Sequence, residues 1–393
     1  MLNHSPMHSQ ATMRALVQRG FTLIELLIAV ALSTLVGALI YTVFINQTTA
    51  YRQQADMGTM QQNLRVAMEM LSRDVSMAGW GLSFNGATWG AMGHGSAFGQ
   101  GYIGSDANPL FAMWIQEDFP AGSGRDAIEL VMQNPNRNTW AWSMGEVQDC
   151  GISNLTFHPD YAAAAAQYDP ALGAAEVLCY QPHHRGKPGS FLWSVVGVGN
   201  AGNVPVTSNA QSDYSTECTE TLPQRMICAP PRWVAYYIDA DNTDGIGIGS
   251  PAMPVLYYVP DVAAVMATSG AYPDANDIPI ALGIEDLQME VCIGGNGLDC
   301  QLPASWTSGF QMGTSPGAPE WVNLTAVRLH VVARTLRPDP QRTNVSAVLD
   351  PVPLDGGVLP GTGTPDGYHR RLGTTEVQVR NAVGAWQMAN AGW

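Results

Sequence analysis

The sequence predicts an α+β protein, with one long N-terminal helix followed by an antiparallel, β-rich globular domain. Three observations predict it. Residues 21–45 form an apolar run that continues as a helical pattern to residue 78. Beyond residue 125, short β-branched and aromatic segments recur between Gly, Pro, Asn or Asp. No helical pattern alternates with those segments, which argues against a parallel βαβ sheet.

The bulk composition agrees. A chain of 393 residues is long enough for one large or two modest domains. Hydrophobic residues make up 46%, enough for a real core, and Gly (41) and Pro (26) supply many turns. The net charge is −15, and Lys187 is the only lysine. Such a surface repels phosphate backbones, so no nucleic acid is expected as a partner.

The helix begins with an unusual element. From Phe21 to Ile45 the only formally charged residue is Glu25. At 1.5 Å per residue this stretch spans about 37 Å, enough to cross a bilayer of about 30 Å, with the transmembrane part at about 23–45. Arg14 and Arg19 precede it, so the positive-inside rule keeps that end cytoplasmic and exports the residues beyond Ile45. A cleaved secretory signal would have a shorter run and a small-x-small site after it. A plain signal anchor leaves Glu25 unexplained, because a lone ionisable group in a membrane segment costs several kcal/mol.

The string Arg19-Gly20-Phe21-Thr22-Leu23-Ile24-Glu25 resembles the leader junction of type IV pilins and type II secretion pseudopilins. The resemblance implies a prepilin peptidase that cuts between Gly20 and Phe21 and methylates the new amine of Phe21. It also implies that Glu25 is the assembly charge partner. Stranded in lipid, the new ammonium and the carboxylate each need a partner, and pairing between neighbouring subunits offsets their desolvation. Residues 1–20 are then a leader peptide, which a start at Met13 would shorten to eight residues. Without that leader the charge balance is 16 basic against 33 acidic residues.

The helix continues past the membrane. Met57, Met60, Leu64, Ala67, Leu71, Val75 and Ala78 recur at helical spacing and predict a core-facing stripe. Gly79-Trp80-Gly81 ends the pattern. The expected division is leader 1–20, helix 21–78 and globular domain 79–393.

Within the globular part, residues 81–125 read as loops, and strands are expected at 126–132, 191–198, 233–239, 255–259, 287–293, 324–335 and 374–380. The strings RWVAYYID (232–239), PVLYY (254–258), IALGIEDLQMEV (280–291), WVNLTAVRLHVVAR (321–334) and RRLGTTEVQVRN (370–381) resemble the PilW group of minor pilins. Residues 82–231 match that group poorly and read as an insertion. The resemblance implies a type IV pilin fold and a subunit that primes pilus assembly at or near the tip. Its implied partners are other minor pilins, the major pilin and a tip adhesin of the PilY type. Its implied location is the inner membrane, then the pilus. A J-class pseudopilin of type II secretion is the alternative. A membrane-anchored periplasmic enzyme is a distant one, for which no catalytic constellation stands out.

Six cysteines, Cys150, Cys179, Cys218, Cys228, Cys292 and Cys300, all follow the apolar segment and suit an oxidising compartment. The sequential pairing closes the shortest loops and is the expected one; some free buried thiols are the alternative. No C-x-x-C pair points to zinc.

Other candidates are weighed on spacing. Asp239, Asp241 and Asp244, with Gly245, suggest a calcium loop of clustered oxygens, but the third acid and the glycine come one position late for an EF-hand. An acidic hairpin turn is the competing reading, and no other cofactor is expected. Gly197-Val-Gly199-Asn-Ala-Gly202 spells G-x-G-x-x-G after a strand, but no helix pattern follows, so a turn is expected. His183-His184 reads as an exposed loop, and His94-Gly-Ser96 lacks the nucleophile elbow.

Overall fold

A computed structural model describes residues 21–79, 113–116, 123–133, 145–150, 154–166, 176–184, 187–200, 202–208, 226–229, 231–239, 253–260, 277–293, 305–307, 324–339 and 367–379, with the single residues 119, 262 and 300. The chain divides into two compact units, one up to Ala55 and one from Asp56 onward. The first unit is helical throughout its described residues beyond Thr22. It belongs to helix α1, Leu23–Met77. Its apolar side chains from Phe21 to Ile45 are exposed in the isolated chain. Hydroxyls in this stretch are satisfied locally: Ser33 donates to the Ala29 carbonyl (2.7 Å) and Thr42 to that of Ala38 (2.9 Å). Local bonds of this kind let hydroxyls sit in a membrane segment without an unmet donor.

In the second unit the remainder of α1 buries the expected stripe. Met60, Leu64, Ala67, Leu71, Val75 and Ala78 are buried, while Met57 is half-buried. They pack on two antiparallel sheets. The first has the order β1-β2-β9-β10-β11, with β1 Met113–Gln116, β2 Ala127–Gln133, β9 Pro231–Asp239, β10 Val255–Val259 and β11 Ile278–Leu282. The second has the order β13-β12-β14-β15, with β12 Ile284–Ile293, β13 Trp306–Thr307, β14 Leu324–Arg334 and β15 Arg370–Gln378. Alternation places Leu130, Val234, Tyr236 and Leu256 of one sheet, and Leu287, Val327, Leu329 and Val331 of the other, in one core with the helix stripe.

Two contacts fix the helix on this core. At Gly373 on β15 an added Cβ would lie 3.1 Å from Leu64 Cδ1, so the absent side chain makes room for the helix. Asn63 donates to the Leu282 carbonyl at 2.9 Å, at the end of β11. The next residue, Gly283, has φ of 75° and joins the two sheets. Its N–H donates to the Pro254 carbonyl and its own carbonyl accepts from Arg334 N–H, both at 2.7 Å. An added Cβ would stand 2.7 Å from the Arg334 carbonyl, so both conformation and space demand glycine.

Within the second unit, a set of six strands lies between β2 and β9 in the chain. Strands β3 Gly145–Cys150, β4 Asn154–Phe157, β5 Glu176–His184, β6 Lys187–Val195, β7 Asn203–Ser208 and β8 Met226–Ala229 close a barrel in the order β3-β4-β7-β6-β5-β8. The alanine run forms a one-turn helix, α2 Ala162–Ala165.

Several expectations change here. β1 lies within 81–125, read above as loops; a four-residue strand is too short to show a period. β1 and β2 also fall inside 82–231, yet they pair into the first sheet, so the interruption of that sheet spans only 134–230. His183 and His184 end strand β5 rather than lying in a loop, and His184 pairs with Lys187 of β6. The 197–202 glycines, by contrast, form the expected turn, connecting β6 to β7 with Asn200 bridging Asn203.

Candidate functional site

The start of α1 carries the strongest candidate. Thr22 stands just outside the helix and Glu25 in its first turn. Glu25 Oε2 accepts from the Thr22 backbone N–H and from the Thr22 hydroxyl, both at 2.9 Å. The Glu25 N–H in turn donates to Thr22 Oγ1 at 3.3 Å. The first helical bond, from Leu26 N–H to the Thr22 carbonyl, closes at 3.2 Å. This is a capping box: N-cap and third helical residue satisfy each other's orphan groups. It fixes the carboxylate at the positive end of the helix, in the first turn of α1. Phe21 is 88% exposed. Gly20 lies outside the described residues. Sequence reasoning passes over Thr22, although T-x-x-E spells the capping signal in plain view.

The second constellation lies where α1 meets the first sheet. Asp74 is buried, and Arg232 on β9 reaches both its oxygens. Tyr236 donates its hydroxyl to Asp74 Oδ2 at 2.7 Å, and Arg232 Nη2 donates to the Tyr258 hydroxyl at 2.7 Å. Burial works against the guanidinium charge, but Asp74 and Tyr258 hold the Arg232 pKa above its ordinary value. Burial beside Asp74 pushes the Tyr236 hydroxyl strongly up, so it remains a donor. These groups satisfy one another, and together they fix the rotation of the helix on the sheet. Asp74 sits three residues after Leu71 and one before Val75, so an acid on the apolar stripe is the sequence signal.

A third cluster ties β12, β14 and β15 together at one end of the second sheet. Arg370 grips buried Glu285 with Nε at 2.5 Å and Nη2 at 3.0 Å, and Arg334 adds a contact at 3.4 Å. Arg334 also stacks over Tyr368 at 4.3 Å. Nearby, burial drives the Asp286 carboxyl up to about 6, opposed by Gln288 and Arg125 and reinforced by Glu285.

The remaining predicted residues separate. Cys292 and Cys300 are joined by a disulfide, and Trp306 Nε1 donates to the Cys300 carbonyl at 3.0 Å. Cys228, buried on β8, is also disulfide-bonded. Cys150 and Cys179 lie on β3 and β5, and Cys218 lies outside the described residues. Of the three candidate calcium ligands, Asp239 ends β9, while Asp241 and Asp244 lie outside the described residues. Among the described residues no three His, Cys, Asp or Glu side chains converge on a metal position.

Two family models match this chain. Residues 16–41 match the prokaryotic N-terminal methylation motif. Residues 235–381 match the type IV pilus-assembly protein W family. The first match contains the Thr22–Glu25 cap; the second runs from β9 to the end of β15. A solved structure with some likeness is the type IV-like pilin TTHA1219 from Thermus thermophilus. It is 12% identical, covers 82% of this chain and 96% of its own, and has a TM-score of 0.32. No curated protein matches.

Proposed function

We propose that this chain is a type IV pilus minor pilin of the PilW group, which primes assembly of the pilus and stays at or near its tip. The prepilin peptidase cuts the Gly20–Phe21 bond and methylates the new amine. Before assembly the chain sits in the inner membrane as a single pass, with its N-terminus cytoplasmic. It then joins other minor pilins and the major pilin, and meets a tip adhesin of the PilY type.

The observation that carries this reading is the Thr22–Glu25 cap. A carboxylate in an otherwise apolar, membrane-length run is expensive unless it is hydrogen-bonded and paired. The cap supplies two hydrogen bonds from the chain itself. An acceptor carboxylate has about four lone-pair sites, so Glu25 keeps capacity for one more cation. The methylated ammonium of a neighbouring subunit is such a cation. Pairing there excludes lipid from both charges and sets the axial position of one helix against the next.

The role in few copies rests on the globular part. Glu25 and the apolar run suit any subunit of a fibre, but an acidic body interrupted by a barrel is a bulky unit to repeat along a shaft. Crosslinking of the full chain in cells, with identification of the captured subunits, tests the reading. Capture of other minor pilins is the expected result. Capture of type II secretion subunits alone would contradict it.

A further inference from the structure

The barrel interrupts the first sheet at one place. β2 and β9 are neighbours in that sheet, and the last pair of their ladder sets Gln133 opposite Pro231. All six barrel strands fall between those two residues, and in the described ladders they pair only with one another. The barrel also has its own interior. Leu155, Phe157, Val177, Val204 and Val206 are at most 2% exposed, and none belongs to the cluster that joins α1 to the two sheets. An independent core and an entry and exit that meet side by side are the marks of an inserted domain. The family matches end at residue 41 and resume at 235, so neither touches this segment.

We propose that residues 134–230 are a separately folding module grafted into the β2–β9 hairpin, and that incorporation into the pilus does not require it. Assembly belongs to α1 and the two sheets it covers; the module is an addition to that scaffold. The incorporation half of this proposal rests on the pilus reading above, whereas the folding half does not.

Two substitutions in the full chain, in detergent, separate the bodies by hydrogen exchange. Leu155→Asp places a charge inside the barrel, and Leu71→Asp places one in the helix–sheet core. With Leu155→Asp, amides of the barrel strands should exchange at least about tenfold faster while those of β12 and β14 stay near wild-type rates. Leu71→Asp should do the reverse. In cells, Leu155→Asp should appear in sheared pili at the wild-type level. A second variant replaces 134–230 with an Asn-Gly turn, which suits a two-residue link between paired antiparallel strands. It should also be incorporated, and it decides the matter if Leu155→Asp is degraded. Loss of protection in β12 and β14 with Leu155→Asp overturns the folding half. Absence of both barrel variants from pili that contain the wild type overturns the incorporation half. A wild-type chain absent from pili contradicts the pilus reading instead, and the exchange data still decide whether the barrel folds alone.

Discussion

Arg232 and Asp74 face each other across the helix–sheet core, with Nη1 and Nη2 donating to Oδ1 and Oδ2 at 3.4 and 3.2 Å. The pair ties a helix residue to a strand residue 158 positions away. Removing one partner strands a buried charge, at a cost of about 3–5 kcal/mol, whereas removing both leaves no unpaired charge and only the Tyr236 and Tyr258 hydroxyls without these partners. Arg232→Met should therefore destabilise the chain strongly, and Asp74→Leu combined with Arg232→Met should recover most of the loss. Denaturant unfolding of the single and double variants checks this. Additive effects of the two substitutions would contradict the pairing.

Asp286 predicts a pH dependence of opposite sign to that of most acids. Its folded pKa, about 6, lies above its ordinary value of 3.8. The folded state therefore holds the proton more tightly than the unfolded one. The resulting stability is complete below pH 3.8 and is lost as pH rises through about 6. The loss amounts to roughly 3 kcal/mol. Asp286→Asn should raise the melting temperature at pH 7.5 and approach the wild type near pH 4. An equal shift at both pH values would contradict the assignment.

Thr22 should matter through Glu25. Thr22→Val removes the hydroxyl that both donates to the carboxylate and accepts from the helix, at a cost of about 1 kcal/mol to the cap. Incorporation into pili should fall, though less than on loss of Glu25 itself. Thr22→Ser should restore it. Immunoblots of processed chain, set beside the amount in sheared pili, separate an assembly defect from failed cleavage.

Gly283 should tolerate no side chain. Its positive φ and the Arg334 carbonyl 2.7 Å from an added Cβ make Gly283→Ala a strained substitution at the seam of the two sheets. A loss of about 1–3 kcal/mol is expected from unfolding measurements. Gly37→Ala, with nothing within 4 Å of the added atom, is the control and should be neutral or slightly favourable.

How much of the fold is legible in the sequence depends on the range of the signal. The helix is legible because two local patterns announce it, the apolar run and the Met60–Ala78 stripe, and both are buried or exposed as their spacing requires. Strands β9, β10, β12 and β14 are legible because they are rich in Val, Tyr, Ile and Leu. The barrel strands are not, apart from part of β6. β3, β4 and β8 run only four to six residues, and β5 and β7 contain Pro182 and Pro205, which local rules count against a strand. At the site, Glu25 stands out as a charge in an apolar run. The Asp74–Arg232 pair does not, because nothing local links residues so far apart.

We propose that Glu25 serves as an assembly charge and not as a processing signal. The direct measurement is Glu25→Ala in the full chain, with cleaved chain in the membrane and chain in sheared pili quantified together. The expected result is near-normal cleavage and loss of the variant from pili. Incorporation of Glu25→Ala at the wild-type level would contradict the account.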